Sequence, residues 1–324
     1  MKKLLVSLAA VVAMTGTAAF AQTKWDLPSG YGANTFHVQN LTQFAADVDK
    51  ATTGKLKITV HPNASLFKAN EIKRAVQSGQ AQAGEFILSL FSNEAPVYGL
   101  DSIPFLATSY ADSKRLDTAS RELLVKTLAA QGIKLLYTVP WPPQSLYSKK
   151  ALTKLADLKS TKMRAYNPAT SFIATAVGAQ PVTIQLAELP AALATGGADN
   201  FLTSSSSGID SKLYESVKFF YDVNAWLPRN AVVVNQKAFD ALDKAGQDAV
   251  LQQAAAAEAR GWQNSEKNNA DNLKELAAKG MKIDTVVGES LRKELKPIGE
   301  TMTADWLKLA GADGKAIIDA YNKK

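Results

Sequence analysis

What most limits the fold of this chain is the order of its hydrophobic periods, because a period of two and a period of 3.6 alternate along most of its length. "GKLKITVHP", residues 54–62, sets Leu56, Ile58 and Val60 against Lys57 and Thr59, the pattern of a half-buried strand. "NEIKRAVQSG" then reads as a helix stopped at Gly79, and "AQAGEFILSL" as an apolar segment consistent with a buried parallel strand. "SRELLVKTLAAQG" and "IKLLYTV" repeat the helix and strand, with Gly132 as the stop. Such alternation is satisfied by helices packed on the faces of largely parallel sheets, an α/β architecture.

The second half repeats this grammar. "RAVQSGQAQAGEF" around Gly79 has a counterpart in "PAALATGGADNF" around Gly196, and "LAAQGIKLLY" from Leu128 has one in "LAAKGMKIDT" from Leu276. Glycine-capped helices are common in α/β chains, so the echoes fit either coincidence or two similarly wound domains. Length favours two domains, because 324 residues exceed the ~250–300 at which single cores stop growing. From Phe239 to Gly280 a proline-free run rich in Ala, Gln, Glu and Lys predicts a long helix, either a rod bracing both domains or one bent at Gly261. The expected division is a leader at 1–21, domain I at 22–145 plus about 230–260, and domain II at 146–229 plus about 261–324, with a helix at about 247–279 bridging them.

Lys2 and Lys3, the apolar run after them and the small residues ending in Ala19-Phe20-Ala21 form the pattern of a secretory signal peptide cut after Ala21. A retained anchor is the alternative, but no later stretch of about 18 uncharged apolar residues would span a membrane. The expected location is the periplasm. Without Lys2 and Lys3 the formal charge falls from +7 to +5, and the basic residues are scattered, so no nucleic-acid partner is expected. The absence of cysteine excludes disulfides, thiol catalysis and cysteine-based metal sites.

"TKMRAYNPATS", residues 161–171, carries the most chemistry. In a strand, Met163 and Ala165 face one way and Arg164 and Tyr166 the other, and Asn167 before Pro168 ends the run. Arg164 therefore sits near a strand's carboxyl end, where open α/β sheets bind ligands, and a guanidinium grips a carboxylate through two parallel hydrogen bonds. A sheet-edge arginine that reaches water or pairs with Asp157 fits the same spacing.

Trp141, among Pro140, Pro142 and Pro143, and Trp226, in "VNAWLPRNAVVVN", are candidate walls for an apolar or aromatic ligand, as is Phe201; core or hinge packing is the alternative for each. Phe86, Phe36 and Asn34 are further candidates. "TSSSSG", residues 203–208, is not a nucleophile elbow, because no glycine precedes it, nor a phosphate loop, because the lysine is missing; it reads as a polar loop that supplies hydroxyls to the cleft or faces solvent. His37 and His61 are the only histidines, and no spacing of histidine and carboxylate matches a zinc site. No cofactor or metal is expected, although a calcium or sodium ion bridging the ligand through oxygen atoms would leave no sequence trace to read.

Longer segments carry a resemblance. "HPNASLFKANEIKRAVQSGQAQAG", "APVYGLDSIPFL" and "LADLKSTKMRAYNPATSFIATAVGAQPVTIQLAELPAALATGGADN" resemble the DctP-like substrate-binding proteins of tripartite ATP-independent periplasmic (TRAP) transporters, from about residue 35 to 262. The "DLK…K-R" element, the "GAQPV" turn and the "ALATGGAD" helix end occur in family order. The resemblance implies a two-domain periplasmic-binding-protein-like α/β fold, with hinge strands and a long helix spanning both domains, that closes over a small organic acid. It also implies that Arg164, which matches the family's hallmark arginine, holds the ligand carboxylate.

Two departures refine this. Gln144 stands where many members have a second arginine, which removes an anchor for polyanionic acids. Asn200 ends a segment that often reads Gly-x-x-Asp-Gly, and its amide becomes a second candidate partner for the carboxylate. The expected protein is a monomeric receptor for a monocarboxylate with an apolar or aromatic body. Arg164 binds the acid, with Asn200, Trp141, Phe201, Tyr166, Trp226 and Phe86 around it, and the partner is a TRAP permease. The rival is an exported α/β hydrolase or lyase using serines 204–207 or His61, which would need a base beside its nucleophile.

Overall fold

In the computed structural model the described residues are 22–323, so the leader read at 1–21 lies outside them. The first half of the chain forms β1 (Thr23–Pro28), α1 (Phe36–Ala51), β2 (Leu56–His61), α2 (Ile72–Ser78), β3 (Ala83–Ile87), α3 (Tyr110–Ala129) and β4 (Ile133–Pro140). There follow β5 (Ser145–Ser148), β6 (Lys162–Ala165), α4 (Pro168–Ala176), β7 (Gln180–Thr183), α5 (Leu189–Ala194), β8 (Asn200–Thr203), α6 (Ser205–Asp210) and β9 (Phe219–Tyr221). The chain ends with β10 (Arg229–Asn235), α7 (Gln236–Asp240), α8 (Lys244–Ala278), β11 (Lys282–Asp284) and α9 (Thr285–Asn322).

Two domains result. In the first, β1 pairs with β2, and β10 returns between β3 and β4. In the second, six strands run in the order β11-β9-β5-β8-β6-β7. The sequence echoes mark equivalent turns in both: α2, α3, α5 and α8 are followed by Gly79, Gly132, Gly196 and Gly280, with φ of 79°, 73°, 73° and 86°. That left-handed conformation ends a helix at little cost only when Cβ is absent.

The domains are joined by two antiparallel crossings beside the pocket. Trp141 N donates to Pro228 O at 2.8 Å, Gln144 N to Trp226 O at 2.8 Å, and Ala225 N back to Gln144 O at 2.8 Å. Near them, buried Arg229 on β10 pairs with Asp101 and with Asp117 of α3, and Arg121 links Asp117 to Glu258 of α8. A buried charge network of this kind fixes geometry, because removing one partner leaves the other uncompensated.

The long helix α8 packs on α1 and β4 of the first domain and on α6 and β11 of the second. It runs unbroken through Gly261, where an added Cβ would clash with Val139 Cγ2 and meet Asn40 Nδ2 at 2.9 Å. The glycine therefore serves close approach to β4 and α1 rather than a bend. The division at about 261–324 also needs correction. Trp306, Ile317 and Tyr321 of α9 pack against Leu100 and Leu116 of the first domain, the chain turning at Gly311 with φ 57°.

Candidate functional site

Beside the crossings lies a cavity walled by both domains. Among the described residues, Arg164 alone of those lining it is charged. Its strand, β6, lies between β7 and β8, so it is an inner strand, and the side chain is 3% exposed. Nε donates to Ile184 O at 2.8 Å, and the guanidinium carbon stands 4.6 Å from the centre of the Tyr166 ring. Among the described residues no ion pair reaches it, and Asp157 instead accepts hydrogen bonds from Thr153 on the surface. Burial pulls the guanidinium down to about 10, which leaves it charged at neutral pH. A cation is thus buried with no counter-charge among the described residues, an arrangement chemically suited to accept an anion.

The strand pattern explains the rest of that wall. Met163 turns into the second domain's core, while Tyr166 joins Arg164 at the cavity. Burial holds the Tyr166 phenol protonated, well above its ordinary range, against the opposing pull of Arg164. Its Oη donates to Gln144 Oε1 at 3.4 Å, and Gln144 Nε2 donates to Pro142 O at 3.1 Å. Gln185, Leu186, Thr203 and Ser207 complete the second-domain side.

From the first domain and the crossings come Tyr31, Ile87, Leu90, Trp141 and Pro228. Trp141 packs edge-on to Tyr31 at 5.0 Å and edge-on to Phe36 at 5.6 Å. Behind them Asn230 Oδ1 accepts from Trp141 Nε1 at 2.9 Å and from Tyr31 Oη at 3.3 Å. Two aromatic walls are therefore pinned to one buried amide.

Of the residues expected at the site, the fold brings Arg164, Tyr166 and Trp141 to the cavity and keeps four away. Asn200 begins β8, whereas Thr203 at its carboxyl end lines the cavity; the Asn200 amide donates to Thr161 Oγ1 at 2.8 Å and accepts from Ser148 Oγ at 2.6 Å. Phe201 pairs in register with Arg164 but is fully buried, stacked on Tyr147 at 4.9 Å. Phe86 faces the far side of β3 from Glu85 and Ile87 and packs on Phe91. Trp226 sits in the second domain's core, its Nε1 buried without a bonded partner although the indole approaches Tyr166.

Phe36 backs Trp141 in the first core, and Asn34 lies at a neighbouring cavity, where its Nδ2 donates to Asp210 O at 3.0 Å. Tyr31 and Gln185 were missed, because they sit in loops where neither period nor motif marks them; of the serine run, Thr203 at the end of β8 and Ser207 in α6 do bring hydroxyl-bearing side chains to the cavity.

The serine run is structural in most of its contacts. Ser204 caps α6, Ser205 donates to Asn269 and Ser206 accepts from Asn272 of α8. His61 bonds Asp26 and His37 contacts Glu85, so neither activates these serines. Among the described residues, no three histidines or carboxylates cluster to hold a metal, and no helix is long and apolar enough to cross a membrane.

The family model DctP, bacterial extracellular solute-binding protein, family 7, matches residues 29–308. A Bordetella pertussis extracytoplasmic solute receptor, DctP6, described as binding pyroglutamic acid, is 54% identical with a TM-score of 0.90, covering 93% of this chain and 100% of its own. A marine metagenome TRAP solute-binding protein specific for pyroglutamate is 45% identical with a TM-score of 0.91, covering 94% of this chain and 100% of its own. A solute-binding protein of Albidiferax ferrireducens is 26% identical over 305 residues, 90% of each chain.

Proposed function

The chain belongs to bacterial extracellular solute-binding protein family 7, and from that premise we propose that it is a periplasmic receptor for a small monocarboxylate, gripped by Arg164, with pyroglutamate as its ligand. The family and its structural relatives are transport receptors rather than enzymes. The observation that carries the ligand class is the lone buried Arg164, with no carboxylate among the lining residues. A free amino acid would bring an ammonium group that finds no counter-charge there, and a dicarboxylate would find Gln144 where a second cation is needed. A neutral ring carrying one carboxylate fits between Trp141, Tyr31 and Leu90. Likeness to receptors that bind pyroglutamate supports this ligand.

Because the cavity takes walls from both domains, a ligand that touches both selects the closed form by differential affinity, and the crossings act as the hinge. The closed form then docks on a TRAP permease. The test is a thermal-shift and calorimetric screen of protein stripped of solute by unfolding and refolding. Pyroglutamate at about a hundred times its Kd stabilises the fold by roughly 2.7 kcal/mol, and glutamate and succinate do not. Stabilisation by glutamate equal to that by pyroglutamate refutes the reading.

A further inference from the structure

Resting on that reading and deepening it, we propose that Tyr31 is a specificity-determining residue: its phenol oxygen accepts a hydrogen bond from an N–H of the ligand, so the pocket selects a cyclic amide acid over its ring-oxygen counterpart.

The direction of each hydrogen bond behind the pocket follows from groups that have only one role. The Trp141 indole N–H can only donate, and it meets Asn230 Oδ1 at 2.9 Å. That contact fixes the Asn230 amide, whose Nδ2 then donates to Glu85 Oε1 at 3.0 Å. Glu85 is buried as well, and Ser29 Oγ donates to its other oxygen at 2.6 Å. Tyr31 Oη lies 3.3 Å from the same Asn230 Oδ1, and an amide oxygen has no proton to give, so Tyr31 is the donor. Burial, reinforced by Glu85, keeps that phenol protonated far above its ordinary range. The single proton of Tyr31 is thus committed to Asn230, and its oxygen can offer a ligand only lone pairs.

Tyr166 is arranged in the same sense, its proton going to Gln144 Oε1 on the second-domain side of the cavity. Tyr31 and Arg164 line one cavity from different domains, near enough for each to shift the other's ionisation. A ligand held by its carboxylate at Arg164 therefore meets an acceptor at Tyr31. A ring N–H satisfies that acceptor, whereas a ring oxygen sets lone pair against lone pair in a water-poor site.

The probes are pyroglutamate and the γ-lactone of α-hydroxyglutarate, which has a ring oxygen in place of N–H. Each is titrated calorimetrically into stripped wild-type protein and into Tyr31→Phe. The expected result is a wild-type preference for the lactam of at least about tenfold, falling to near parity in Tyr31→Phe as the lactam loses its acceptor and the lactone loses its repulsion. Equal wild-type affinities overturn the role of Tyr31 while leaving the carboxylate reading intact, and this comparison needs no variant to fold. A preference that survives in a folded Tyr31→Phe also overturns it. Binding of neither probe overturns this proposal and the pyroglutamate reading together.

Discussion

Replacing Arg164 with methionine separates a ligand clamp from a structural cation, because the first role puts the cost in affinity and the second puts it in stability. Among the described residues the guanidinium, 3% exposed, has one hydrogen bond, to Ile184 O at 2.8 Å, plus the Tyr166 ring at 4.6 Å. Losing the charge-assisted bond costs about 1.5–3 kcal/mol and losing the ring contact about 0.5–2. Against this stands the relief of a buried cation without a counter-charge, a penalty of several kcal/mol. Methionine keeps the apolar stem, so the fold should change by no more than about 1 kcal/mol in either direction.

In the complex nothing offsets the loss. The ligand carboxylate is left buried and unpaired, at a cost of about 3–5 kcal/mol, or roughly 10²–10⁴-fold in Kd. Urea melts of stripped protein report the first quantity and calorimetric titration with pyroglutamate the second. A variant destabilised by more than about 3 kcal/mol whose affinity changes less than about tenfold refutes the clamp and makes Arg164 a structural residue.

Gly261→Ala should destabilise the protein by about 1–3 kcal/mol in a urea melt, although alanine is the better helix former, because the new Cβ meets Val139 and Asn40 at less than contact distance. Equal or greater stability would mean that α8 does not press on β4. Asp210, with Oδ2 buried and unpartnered, is pushed up to about 7, by burial first and then by Glu275. Its folded-state pKa thus exceeds the unfolded value of about 4. The native state holds the extra proton in that window, and stability falls as pH rises from about 4 to about 7. Asp210→Asn should match the wild type near pH 4 and exceed it near pH 8 in urea melts at each pH; parallel curves across that range would show that Asp210 does not titrate there.

The sequence by itself determined whatever is local in the chain. The alternation of periods specified helices on sheets, the glycines at 79, 132, 196 and 280 specified where helices end, and the proline-free run specified α8. Strand alternation put Arg164 and Tyr166 on one face, and both reached the cavity. Only the tertiary structure decided which neighbours they meet. Asn200 and Thr203 belong to one strand of four residues, yet its direction and alternation in the sheet bring the second to the pocket and leave the first bonded to Ser148 and Thr161.

Tyr31, Asn230 and Glu85 are far apart in sequence and carry no motif, and their joint role exists only because β3 and β10 pair beside the loop after β1. The physical reason is the range of the forces involved. Period, capping and turn chemistry act over a few residues and can be read along the chain, whereas the direction of a hydrogen bond in a buried network depends on partners brought together by burial, which no local pattern encodes.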